Sequence, residues 1–214
     1  MIKVFDDIVD IFDQEIIKHQ VMNETWFQYV DDVSIANNQH QRRPGFKHIF
    51  DLDILHDSIR KVVNNCNKKI GRKPIQLVDQ LVGDRILEAR SFLQLPLDTN
   101  FAGTGVDSPH LDRFEPHLVF LYYVCDSDGD TIIYDYKTKK EGDVPFFEDV
   151  KELKRITPKQ GRVVVFDGLY WHTAEQPKKD VRCILNFNIS SNNITYYNLD
   201  VILKELNLTK EQFL

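Results

Sequence analysis

Cysteine is scarce in this chain: Cys66, Cys125 and Cys183 are the three among 214 residues. An odd number, widely spaced and without a Cys-x-x-Cys pair, argues against a disulfide framework or a structural zinc site and fits a reducing, cytoplasmic setting. Positive charge is also short, since 27 Lys and Arg face 33 Asp and Glu for a net charge of −6, and the basic runs are brief. No electrostatic grip on a nucleic-acid backbone is expected. Long apolar runs are missing as well. The longest, Leu118 to Val124, is far too short to cross a bilayer, and the start Met1-Ile2-Lys3-Val4-Phe5-Asp6-Asp7 turns acidic at once, unlike a signal peptide. No internal repeat is present. What remains is a soluble chain, with no membrane partner expected, whose length suits a single domain with a substantial core.

Against these absences stand clear periodicities. Ile8, Val9, Phe12, Ile16 and Ile17 recur at helical steps and predict a helix from Asp6 to about Val21, with Asp6 or Asp7 near its cap. Trp26 to Val30 predicts a strand, and polar Asn37 to Gly45 an exposed loop. Ile54, Leu55, Ile59, Val62 and Val63 predict a second helix over Asp53 to Lys69, stopped by Gly71 and Pro74. From Arg85 the texture changes to short strands: Arg85 to Leu95, Leu118 to Val124, Thr131 to Tyr134, the Val163 run inside Gly161 to Gly168, and Val181 to Ile189. Asp126, Asp128 and Asp130 around Gly129 read as a hairpin turn joining Leu118–Val124 to Thr131–Tyr134. No acidic residue follows at the distance a calcium loop requires. Lys137 to Gly142 is a charged turn, and Leu199 to Leu214 has helical spacing. The expected fold is mainly β with flanking helices, a sandwich or jelly roll.

One constellation carries chemistry. His110-Leu111-Asp112 precedes one apolar strand, His172 follows another, and Arg182 lies in the strand-like run after it. Residues two apart in an extended segment point the same way, so His110 and Asp112 can reach one metal together, with His172 arriving from a different strand. Two imidazoles and a carboxylate form the facial triad of non-haem Fe(II) oxygenases, which leaves positions open for chemistry. Arg182, set among apolar residues, needs an anionic partner: Glu88 or Asp112 if structural, a ligand carboxylate if functional. His117 sits an odd number of positions from His110 behind Pro116, and reads as the start of the next strand. His19, His40, His48 and His56 have no ligand spacing, and Arg42-Arg43 read as solvated surface.

On His110-x-Asp112, His172 and Arg182 the chain resembles the 2-oxoglutarate and Fe(II)-dependent oxygenases, and is most similar to their prolyl 4-hydroxylase-like branch, over roughly Arg85 to Ile189. The resemblance implies a double-stranded β-helix (jelly-roll) core over 85–189, a helical support region over 1–84 packed on it, and a tail helix over 190–214. It implies that His110, Asp112 and His172 hold Fe(II) and act as the catalytic centre, and that Arg182 binds the far carboxylate of 2-oxoglutarate. Tyr123 in Phe120-Leu121-Tyr122-Tyr123-Val124 and Gln94 on the strand ahead of the motif are further co-substrate contacts. Tyr122 and Tyr123 face opposite ways, so one of them belongs to the core. The implied reaction is hydroxylation of a peptide (peptidyl proline) or small-molecule substrate with O2, coupled to decarboxylation of 2-oxoglutarate to succinate, and ascorbate is a further candidate cofactor. Substrate would meet the loops Asn37–Gly45, Asp98–Pro109, with Gly103-Thr104-Gly105 as a flap, and Pro145–Glu152. The alternative is a cupin-like metal-binding jelly roll without oxygenase activity, which has no need of Arg182. Oligomeric state is left open by the sequence.

Overall fold

The computed structural model describes residues 1–30, 44–75, 85–96, 105–138, 145 and 150–190. The Asn37–Gly45 loop up to residue 43, residues 98–104 with most of the Gly103-Thr104-Gly105 flap, the turn residues 139–142, residues 146–149 and the tail helix lie outside them.

Ten strands and two α-helices are described: β1 Ile2–Phe5, α1 Ile11–His19, β2 Gln28–Val30, β3 Gly45–Ile49, α2 Asp57–Lys69, β4 Ile86–Gln94, β5 His117–Tyr123, β6 Thr131–Lys137, β7 Glu152–Ile156, β8 Val163–Asp167, β9 Tyr170–Ala174 and β10 Arg182–Ser190. They build a major sheet ordered β1-β8-β5-β10-β4-β3-β2 and a minor sheet ordered β7-β6-β9. Every pairing is antiparallel. This is the jelly-roll architecture expected from the strand cadence.

Alternation along the central strands decides what each face of the major sheet touches. Phe120, Tyr122, Val163, Val165, Leu185 and Phe187 point to one side, where Ile17 and Val21 from the first helical segment and Ile59, Val62, Val63 and Cys66 of α2 cover them. Val119, Leu121, Tyr123, Val164, Phe166 and Ile184 point to the other, against Ile133 and Ile156 of the minor sheet. Burying each of these large side chains contributes about 1.5–3 kcal/mol. The two helices are also tied to each other, because buried Asp13 of α1 accepts hydrogen bonds from Ser58 Oγ (2.8 Å) and Lys61 Nζ (2.9 Å) of α2.

Several sequence expectations shift in detail. The first helix starts later than Asp6, because Asp10 is the residue whose side chain caps it, accepting from the Asp13 amide at 2.9 Å. Residues 6–10 instead link the helix to β1, which pairs with β8. Helix α1 runs on into a π-helical turn over Gln20–Glu24. Helix α2 begins at Asp57, with a short 3-10 turn over Leu52–Ile54 before it, and Gly71 at φ +81° ends it as expected. Strands β3 and β7 each begin at the last residue of a segment expected as loop, Gly45 and Glu152.

The predicted hairpin between β5 and β6 does not form. Strand β5 lies between β8 and β10 in one sheet, whereas β6 lies between β7 and β9 in the other. The Asp126–Asp130 turn is therefore a crossing between layers. Its Asp128 carboxylate accepts the backbone amides of Lys178, Lys179 and Asp180 at 3.1–3.3 Å, so it caps the β9–β10 turn. All three cysteines are free and buried. No described helix is long and apolar enough to cross a membrane.

The turn between β8 and β9 is set by a close approach. A Cβ on Gly168 would lie 2.0 Å from Nε2 of His117, which is itself buried and pinned through Nδ1 to the Glu115 carbonyl at 2.7 Å. Gly168→Ala is expected to cost ~1–3 kcal/mol by overpacking, read from the urea midpoint. The cost should be smaller in a His117→Ala background, because the steric partner is gone.

Candidate active site

The segment leading to β5 runs alongside β9 and joins the minor sheet by two antiparallel bridges, Val106 to Glu175 and His110 to His172. The second is a closed pair: the His110 amide donates to the His172 carbonyl at 2.9 Å and the His172 amide donates back at 3.1 Å. Directly opposed residues project to the same face. The two imidazoles accordingly stand with ring centroids 4.7 Å apart.

Asp112 completes the group. Its Oδ1 lies 3.8 Å from His110 Nε2 and its Oδ2 3.9 Å from His172 Nε2, and one ligand atom from each of the three residues lies within 4.8 Å of the others. Among the described residues this is the one His, Cys, Asp or Glu cluster of that kind.

The donor chemistry fits a divalent transition metal. Each imidazole has Nδ1 3.2 Å from a nearby carbonyl, Ser108 for His110 and Tyr170 for His172. With Nδ1–H donating there, each Nε2 keeps its lone pair and faces the carboxylate. Burial, reinforced by His110, pushes His172 down to about 4, which keeps it neutral and ready to ligate. Burial alone would raise the Asp112 carboxyl, but the Arg90 guanidinium above all holds it well below the usual carboxylate range. Asp112 also accepts from Asn186 Nδ2 at 2.9 Å.

Further along the same face sits Arg182, almost wholly buried. The β10–β4 register places it opposite Gln94 and places Asn186 opposite Arg90. Four strand residues, about 13 Å of rise, therefore separate the Arg182 level from the Asp112 level. Arg182 donates to Gly129 O (3.0 Å), Gln94 Oε1 (3.0 Å) and Thr131 Oγ1 (2.9 Å). None of these is a carboxylate. Asp107 joins through Gln94, whose Nε2 donates to Asp107 Oδ2 at 2.9 Å. Tyr123 faces the same interior and donates its hydroxyl to Thr131 Oγ1 at 2.8 Å, with burial pushing its pKa up to about 12. Tyr122 points the other way, into the helix-side core. Gln94, Thr131 and Arg182 line one cleft together with His110, Asp112 and His172.

The structure thus brings together His110, Asp112 and His172, and separately Arg182, Gln94 and Tyr123. The sequence-level expectation that Glu88 or Asp112 would pair structurally with Arg182 is not met. The arginine that pairs with both is Arg90, which contacts Asp112 Oδ1 and lies 3.5 Å from Glu88 Oε2. Arg90, Asn186, Thr131, Asp107 and Gly129 escaped sequence reasoning. For two of them a signal was present: Arg90 is four residues before Gln94 and Asn186 four after Arg182, so both share the inward face of a strand.

No protein-family model matches the chain, and no curated protein is similar to it in sequence. Solved structures do share its fold. The viral collagen prolyl hydroxylase of Paramecium Bursaria Chlorella virus-1, in complex with 2-oxoglutarate, superposes with a TM-score of 0.55 at 13% identity, over 88% of this chain and 94% of that one. An oxidoreductase of the 2OG-Fe(II) oxygenase family from Burkholderia pseudomallei gives 0.59 at 11% identity, over 88% and 84%. SnoN, a non-haem α-ketoglutarate-dependent epimerase of nogalamycin biosynthesis, gives 0.59 at 10% identity, over 89% and 78%. The fold of this chain is that of the 2-oxoglutarate/Fe(II) oxygenases.

Thr131 is the shared acceptor for Arg182 and Tyr123. Thr131→Val strands both buried donors and is expected to cost about 1–3 kcal/mol. Tyr123→Phe removes one donor and leaves the Arg182 bond in place, so it should cost clearly less, with guanidinium denaturation ranking the two.

Proposed function

We propose that this protein is an Fe(II)- and 2-oxoglutarate-dependent dioxygenase that hydroxylates a peptide or small-molecule substrate. The observation that carries the reading is Arg182: a buried guanidinium whose three hydrogen bonds all go to neutral acceptors, in the cleft that also holds two imidazoles and a carboxylate. A buried cation without a paired anion is costly, and a ligand carboxylate removes that cost. A metal site alone has no use for it, so nothing on this face favours a cupin-like binding protein.

The roles follow from position. Nε2 of His110, Nε2 of His172 and an Asp112 oxygen would hold the iron on one face, leaving the others to a chelating 2-oxo acid and O2. When bound, that pair supplies oxidative power through loss of CO2 from the 2-oxo acid. The chain's own residues bind and orient. Arg182 receives the distal carboxylate in two-pronged geometry, which a planar guanidinium suits. Gln94 and Thr131 hold the guanidinium in that attitude, and Tyr123 buttresses Thr131. Val119, Leu121, Val164, Phe166 and Ile184 supply the apolar interior that excludes water around it.

The assignment is tested by melting curves with Mn(II), 2-oxoglutarate, and both. Each ligand should raise Tm, with saturation at a hundred times Kd stabilising by about 2.7 kcal/mol. His172→Ala should lose the Mn(II) response, while Arg182→Ala keeps it and loses most of the 2-oxoglutarate response. Equal loss of both responses in Arg182→Ala, or wild-type protein that never releases succinate from 2-oxoglutarate with candidate substrates, would contradict the assigned roles.

A further inference from the structure

We propose that Arg90 is a resident counter-cation of the metal ligand Asp112, so that the Arg90–Asp112 pair and a divalent ion oppose one another at the same carboxylate. The inference rests on the metal reading of His110, Asp112 and His172.

The Asp112 side chain is wholly buried, and both of its oxygens carry protein donors. Arg90 Nη2 donates to Oδ1 and Asn186 Nδ2 to Oδ2. These are the same oxygens that face His110 Nε2 and His172 Nε2. The two donors stand directly opposite each other across the β4–β10 ladder, on neighbouring strands whose register fixes them. Arg90 is also held from behind: its guanidinium lies 5.3 Å from the Phe92 ring centroid, and Nη1 is 3.5 Å from Glu88 Oε2.

A fully buried carboxylate, whose side chain meets no water, needs a cation close by. Arg90 is the arginine built against it. A divalent ion ligated by the same carboxylate would meet that guanidinium as a like charge at short range in a poorly screened site. Asn186, being neutral, holds the other oxygen without such opposition. Arg90 therefore stabilises the metal-free fold and weakens the site's hold on its ion, while Asn186 positions the carboxylate in both situations.

The experiment titrates chelator-treated protein with Mn(II), following loss of the free-ion electron paramagnetic resonance signal, alongside melting curves with and without the ion. Removing the charge in Arg90→Met, and in Arg90→Gln which keeps a neutral though shorter donor, should tighten Mn(II) binding about tenfold or more, whereas Arg90→Lys, which returns the charge, should stay within about threefold of wild type. Metal-free Arg90→Met should melt below wild type, and saturating Mn(II) should close the gap. A variant that folds only once Mn(II) is added shows the same opposition and counts in favour. If Arg90→Met and Arg90→Gln bind Mn(II) as wild type does or more weakly, Arg90 is a mechanical support and the proposal is overturned. Wild-type protein that takes up no Mn(II), or takes it up undiminished in His172→Ala, brings down the metal reading itself, which is a different failure.

Discussion

Two backbone hydrogen bonds between His110 and His172 organise this molecule's chemistry. They fasten the segment ahead of β5 onto β9 and so make it, in effect, a fourth strand of the minor sheet. Everything else at the site is referred to that pair. The imidazoles are neighbours because their backbones are paired; Asp112, two residues on, is delivered between their Nε2 atoms; and strands β4 and β10 of the opposite sheet provide the donors that hold its oxygens. A side-chain cluster so placed costs little further ordering entropy, since the sheets have already fixed its backbone.

Much of this was legible in the sequence, for a physical reason. The ligand set is short, local at one end and anchored at the other by a β-branched run that can only be a strand, so residue types and spacing say nearly all that matters about it. Faces were less legible. Arg182 and Ile184 look inward with Asn186, whereas Phe187 and Ile189 look to the helices, and in a run where almost every residue is buried, hydrophobicity carries no alternation to reveal which is which. The β5–β6 crossing was read as a hairpin because turn residues between two apolar runs look alike whether the chain folds back or changes layer. The first helix was drawn too long because Asp6, Asp7 and Asp10 are all good caps, and only the chain's path into β1 selects Asp10.

At 10–13% identity the fold survives in the solved structures of a viral collagen prolyl hydroxylase and an epimerase of nogalamycin biosynthesis, and no family model matches the chain. Both facts have one cause. Hydrogen-bond register and an apolar interior tolerate very different side chains, and a handful of polar residues is too small a fraction of the chain to dominate an alignment. Within that frame this chain sets a polar row on β4 and β10, Glu88 and Arg90 facing Asn188 and Asn186.

The Asp126–Asp130 crossing has a mechanical consequence. Asp128 grips the amides of the β9–β10 turn, and the next carbonyl, Gly129, receives the Arg182 guanidinium, while Thr131 at the head of β6 receives it again. Arg182 stands in the major sheet and Thr131 in the minor one, so this one side chain is a rivet through both layers. A pull on the guanidinium is therefore felt in both layers at once.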